Sequence, residues 1–89
     1  MAVYQLYFNP AEHQYSAFSR RPAGKGYINT SCASLDVLVN ILKEDTKGKK
    51  PIFIAEVPNI DWGNYDERQL MPMPEAKVRE ILSKLGLPV

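Results

Sequence analysis

The 89 residues fit one domain, with 45% hydrophobic and 24% charged side chains, five glycines and seven prolines, a composition that excludes whole-chain disorder and collagen-like repeats. A net charge of +1 gives no overall drive toward nucleic acid or acidic membranes. Cys32 is the single cysteine, which excludes an intrachain disulfide and suits a reducing cytoplasm.

No run approaches the roughly 18 apolar residues of a membrane span. The first ten residues, MAVYQLYFNP, lack an early Lys or Arg and place polar Gln5 in mid-run, so no secretory leader is expected. The chain is read as a complete small product, and membrane binding is not expected.

VYQLYF (3–8) alternates as a strand, with Tyr4, Leu6 and Phe8 on the better core face. NPAE (9–12) is a type I turn with Pro10 at its second position. QYSAFSR (14–20) then returns antiparallel. RPAGKG (21–26) is a second turn, where Gly24 and Gly26 tolerate positive φ, and YINT (27–30) adds a short third strand.

Ser34 is placed to cap a helix over 35–45, with Asp36 near the positive end of its dipole. Leu35, Leu38, Val39 and Leu42 recur at i, i+3, i+4, i+7, and Val37 and Ile41 widen the stripe, so this helix should be well buried. Gly48 supplies a left-handed stop. PIFIAEV (51–57) is a nearly continuous apolar run that reads as a central strand covered on both faces, Pro51 being tolerated at its first position. If it pairs parallel to an earlier strand, helix 35–45 is the crossover.

The last element is an amphipathic helix over 75–85. Pro74 suits its first position, Val78, Ile81, Leu82 and Leu85 form one stripe, and Glu75–Arg79 and Glu80–Lys84 are i, i+4 pairs. Gly86, Leu87 and Pro88 end it. The order β-β-(β)-α-β-α predicts an α+β domain: a small mixed or antiparallel sheet packed with two helices.

No catalytic or metal constellation stands out. A Cys–His pair must come within hydrogen-bond reach and needs an orienting group; Cys32 reads instead as a small buried hydrophobe and His13 as an exposed turn residue. Structural zinc wants about four Cys or His ligands, and the chain has two. Asp61, Asn64, Asp66 and Glu67 gather near Gly63 but lack the order of a calcium loop. RRPAGKGY lacks the hydroxyl residue that must follow the lysine of a phosphate-binding loop. The expectation is a protein that is not an enzyme, with no cofactor and no metal.

Two surfaces remain. Residues 58–73 form a connection longer than the roughly 12–15 residues beyond which loops are uncommon and usually functional. Ile60, Trp62, Tyr65, Leu70, Met71 and Met73 are costly to leave in water, so the segment is read as an ordered loop. It serves either as a structural lid whose Trp62 plugs the core edge or as a recognition loop. In the second reading Asp61, Trp62, Asn64, Tyr65, Asp66, Glu67 and Arg68 contact a protein partner, since aromatic and Arg side chains dominate interface hot spots.

The second surface is the basic hairpin tip of Arg20, Arg21 and Lys25, a secondary contact. Beside Tyr4, Tyr7, Phe8, Tyr15, Phe18 and Tyr27 it also supports an alternative, single-stranded nucleic-acid binding through sheet aromatics.

The leading expectation is a non-catalytic macromolecular binding protein, a small inhibitor or adaptor that occludes or bridges a protein partner. By size and element order the chain is similar to small phage or mobile-element accessory proteins, including the inhibitors of CRISPR defence; that similarity involves no motif and transfers no residue. A second alternative is a structural or homodimeric accessory protein, because an uncovered sheet edge can self-associate.

Overall fold

A three-stranded meander opens the fold in the computed structural model, which describes residues 2–20, 27–48, 50–58 and 70–88. Strands β1 (Ala2–Asn9) and β2 (Gln14–Arg20) form a hairpin in which Leu6 faces Ala17 and Asn9 faces Gln14. The turn runs one residue beyond the expected 9–12, to His13, which takes a left-handed φ of 56°. Asn9 organises it: its Oδ1 accepts the N–H groups of Ala11 at 3.0 Å and Glu12 at 3.2 Å, so a short polar side chain stands in for backbone in an Asx turn.

Strand β3 (Tyr27–Cys32) pairs antiparallel with β2 and is two residues longer than its apolar pattern suggests. Helix α1 (Leu35–Asp45) then leads to β4 (Pro51–Ala55), which lies parallel to β1. Strand β5 is only Met71–Pro72, antiparallel to β1, and helix α2 spans Glu75–Lys84. The sheet order is β3-β2-β1-β4, with β5 also on β1. The protein is thus a small α+β domain built on a mixed five-stranded sheet with two helices.

Alternation decides which side of the sheet is which. Tyr4 and Leu6 of β1, Ala17 of β2 and Cys32 of β3 point toward one face. There they meet Leu35, Leu38, Val39 and Leu42 of α1, Ile81 of α2, and Met73. Both helices therefore cover the same face. Tyr4 is fully buried, its ring stacked on Phe53 with centroids 5.1 Å apart and its hydroxyl donating to the Asp45 carboxylate at the end of α1. A buried phenol needs such a partner for its polar tip.

The helix ends correct two local expectations and bear out others. Ser34 is the N-cap of α1, but its side chain makes no capping hydrogen bond. Pro74 sits one position earlier than expected, as the N-cap of α2 with an extended ψ of 142°, so the helix begins at Glu75. At the far end the expectation holds with geometry: Gly86 has φ 77°, its N–H donates to Ser83 O at 3.1 Å, and Leu87 N–H donates to Leu82 O at 2.9 Å, the paired bonds of a Schellman motif. Both expected ion pairs form on α2, Arg79–Glu75 at 2.7 Å and Lys84–Glu80 at 3.7 Å.

Two burial expectations fail. Among the described residues the run at 51–57 is neither central nor covered on both faces: β4 pairs there with residues 2–6 of β1 alone, and Ile52 is 42% exposed. An uninterrupted apolar run fits a strand with one covered face as well as one with two, because Phe53 alone packs toward the helix-side core. Helix α1 is likewise not buried all round, since Val37 remains 49% exposed.

Candidate functional site

Strands β4 and β5 share one side of β1. The first takes residues 2–6 and the second Tyr7 and Phe8. At their meeting point the carbonyl oxygen of Leu6 accepts two backbone N–H groups, from Glu56 and from Met73, each at 3.2 Å. A carbonyl has two lone pairs, and here both are used. Chain leaving β4 and chain returning to β5 are thus pinned to one atom, and everything between them is a closed excursion from that point.

Side chains reinforce the pin on both sides of the sheet. Leu70 and Val57 pack on Tyr7 and Phe18, which lie on the face without helices. Pro58 is fully buried, and Met73 enters the opposite, helix-side core at 2% exposure. Successive odd and even positions explain this: Leu70 and Met73 differ by three residues, so they point to opposite faces across the short strand. Polar groups complete the base. The Tyr7 hydroxyl donates to Asn29 Oδ1 at 2.7 Å, and Gln5 Nε2 donates to Glu56 Oε1 at 3.0 Å.

Most of the residues singled out from sequence are not among the described ones. Asp61, Trp62, Asn64, Tyr65, Asp66, Glu67 and Arg68 lie outside the described residues, as do Arg21, Lys25 and the side chain of Arg20. What is described is the frame: the ends of segment 59–69 are Pro58 and Leu70, both buried. The expected 58–73 loop accordingly has a strand, β5, inside its C-terminal end. Leu70-Met71-Pro72-Met73 carries no apolar and polar alternation and has a proline inside it, so this strand left no sequence signal; its pairing with Tyr7 and Phe8 of β1 defines it.

Aromatic placement bears on base stacking. Tyr4, Tyr7 and Phe18 are at most 3% exposed, and they divide between the two faces. Buried rings offer no platform for a base. Phe8 and Tyr15 are half-buried at the hairpin end and pack on each other and on His13, with centroids 5.1 to 6.5 Å apart. His13 therefore spends its ring on its hairpin neighbours, while Cys32 is buried with its Sγ 4.0 Å from Thr30 Oγ1.

Among the described residues, no group of three or more His, Cys, Asp or Glu is gathered in a metal-holding arrangement, and no helix is long and apolar enough to cross a membrane. One charge pair links the helices: Lys84 of α2 donates to Asp36 of α1. This hydrogen bond holds the Asp36 carboxyl below the ordinary carboxylate value and the Lys84 ammonium above its own.

Set beside protein-family models, curated proteins and solved structures, the chain matches none of them. Its functional reading therefore rests on its own residues.

Proposed function

We propose that the protein is a non-catalytic binding module of the cytoplasm, an inhibitor or adaptor that occludes or bridges a protein partner through the excursion between Pro58 and Met73. The observation that carries this reading is the Leu6 carbonyl, which receives the N–H of Glu56 and of Met73 at 3.2 Å each. With Leu70 and Val57 packed on Tyr7 and Phe18, both ends of the excursion are held by the sheet. A segment held at its base loses less freedom when it docks, and rigid support is what recognition loops require.

Its composition supports the same reading. Trp62 and Tyr65 stand among Asp61, Asp66 and Glu67, followed by Arg68, a mixture enriched at interface centres. The acids favour a partner with a basic surface. Arg20 at the end of β2, with Arg21 and Lys25 after it in sequence, forms the secondary contact. Inhibition of a host defence remains the kind of role that size and element order suggest.

The test is affinity capture from the native host with and without nuclease, using wild type and the Trp62→Ala, Tyr65→Ala double variant. The proposal expects a protein captured in both nuclease conditions by the wild type and lost in the variant, whose circular dichroism and thermal unfolding stay close to wild type. A variant that no longer folds would make Trp62 and Tyr65 parts of a structural lid. Capture abolished by nuclease would favour nucleic acid.

A further inference from the structure

The two sides of the sheet end differently. On the β4 side the strand begins with Pro51 after Lys50, and proline and lysine are the usual guards against edge-to-edge pairing. On the other side β3 has neither: YINTSC carries no charge and no proline. Among the described residues no strand pairs with its outer side. Backbone N–H and C=O groups along a strand edge want partners, and an added strand supplies them.

A groove follows this edge. Ile28 of β3 and Val37, Asn40 and Ile41 of α1 line it, with Glu44 and Asp45 toward one end. Its volume of about 520 Å³ falls within the roughly 300–1,000 Å³ of sites that hold ligands. The helix wall is apolar, with Val37 49% exposed and Ile41 half-buried. Val37, Ile41 and Glu44 recur at i, i+4, i+7, so they lie along one flank of α1.

Chain direction fixes which end of the groove is acidic. Strand β3 is antiparallel to β2, β2 is antiparallel to β1, and β4 is parallel to β1. Strands β3 and β4 therefore point the same way, and α1, which joins them, runs back. Its last turn, with Glu44 and Asp45, lies at the Tyr27 end of β3. The negative end of the helix dipole adds to the two carboxylates there, and among the described residues no basic side chain lines the groove. Asp45 accepts the Tyr4 hydroxyl. Glu44 pairs with Lys47 at 3.1 Å, but both side chains are largely exposed, so the pair is weakly held.

We infer that this strip takes an extended peptide, added as a strand antiparallel to β3, with apolar side chains at alternate positions and a basic one near its C-terminal end. The antiparallel direction continues the meander of β1, β2 and β3 and gives the more stable ladder. Every second side chain of the peptide then enters the groove against Ile28, Val37 and Ile41, and the basic one arrives beside Glu44. A second copy of β3 has no basic residue to offer those acids. The strip is also too short for the roughly 800 Å² per partner of a stable protein interface, whereas it matches a peptide bound along one strand. This contact is separate from the segment between Pro58 and Met73.

The probe is a blocked hexapeptide in which threonine alternates with valine, valine and, last, lysine, titrated into the isotope-labelled full chain and followed by NMR. Amide shifts should saturate with a dissociation constant on the order of 100 μM and cluster on Tyr27–Cys32, Val37, Ile41 and Glu44. Glu44→Lys, at an exposed position where a lysine suits the helix end, should weaken this peptide at least about fivefold and reverse its preference over a peptide ending in glutamate. Val37→Ser should weaken both peptides about fivefold and leave thermal unfolding close to wild type. Methylating the peptide's amide nitrogens should abolish binding, because strand addition uses its N–H groups. The inference is overturned by no saturable shift at millimolar peptide, by shifts centred elsewhere, or by an affinity that Glu44→Lys and methylation both leave unchanged. Concentration-dependent dimerisation of the free chain that shifts the same amides also overturns it, since a second copy would then hold the strip.

Discussion

The two faces of the sheet are built to different standards. Under the helices, Tyr4, Leu6, Leu38, Leu42 and Ile81 are completely buried in one continuous cluster. On the other face the apolar cluster among the described residues is Tyr7, Phe18 and Leu70 with Val57, set among hydrogen-bonded pairs such as Ser16–Ser31 at 2.7 Å, while Val3 and Ile52 stay more than 40% exposed. The difference teaches where stability and availability reside. Among the described residues, the larger apolar cluster lies under the helices, and the smaller one packs at the base of the segment between Pro58 and Leu70.

Removing one leucine from each face tests this division most strongly. Leu38→Ala should cost about 3–4 kcal/mol, since a fully buried site cannot collapse around the cavity, and should lower Tm by more than about 12 °C. Leu70→Ala should cost about 2 kcal/mol, yet reduce partner capture more than Leu38→Ala does at a temperature where both variants are folded. Chemical and thermal unfolding measure the first pair of values. Equal losses of stability would erase the contrast between the faces.

A smaller effect sharpens the picture of the open face. Tyr7→Phe removes the hydroxyl that donates to Asn29 at 2.7 Å and should cost about 1 kcal/mol. Hydrogen exchange at Leu70 and Met73 should speed up alongside, because the Tyr7 ring lies beneath Leu70.

The smallest effect is expected from the bond between helices on the covered face. Asp36 has its carboxyl lowered by Lys84, so its contribution is present above the ordinary carboxylate value and lost as pH falls through the lowered one. Lys84 is raised, so the same contact is present below the ordinary ammonium value and lost as pH rises through the raised one. Both groups are exposed, so salt should screen the contact. Asp36→Asn should lower Tm slightly at neutral pH and low salt, and the difference from wild type should vanish in acid and in high salt.

Much of the covered face was legible because its signals are local and periodic. The stripe Leu35, Leu38, Val39, Leu42 places α1, and Gly86 marks the end of α2; Gly48 takes its expected positive φ two residues beyond Thr46, the C-cap of α1. The alternation of Tyr4 and Leu6 names the core side of β1. What periodicity cannot carry is the identity of the neighbour. Ile52-Phe53-Ile54 has the same apolarity in an edge strand as in a central one, so the exposure of Ile52 is a fact of strand order. The binding-site expectation was legible only as composition, in Trp62, Tyr65 and their acids. The part of it the fold explains, the convergence of Glu56 and Met73 on Leu6, depends on contacts between residues distant in sequence.

That convergence has an evolutionary consequence. Two chain segments bonded to one oxygen are a few ångströms apart, so the segment between them starts and ends at one point of the sheet. If residues 59–69 serve recognition, changes in their length should leave β1 with its neighbours, because the entropic cost of closing a loop grows only slowly with its length. Leu6 is a socket: the same sheet can accept a different cargo without being redesigned.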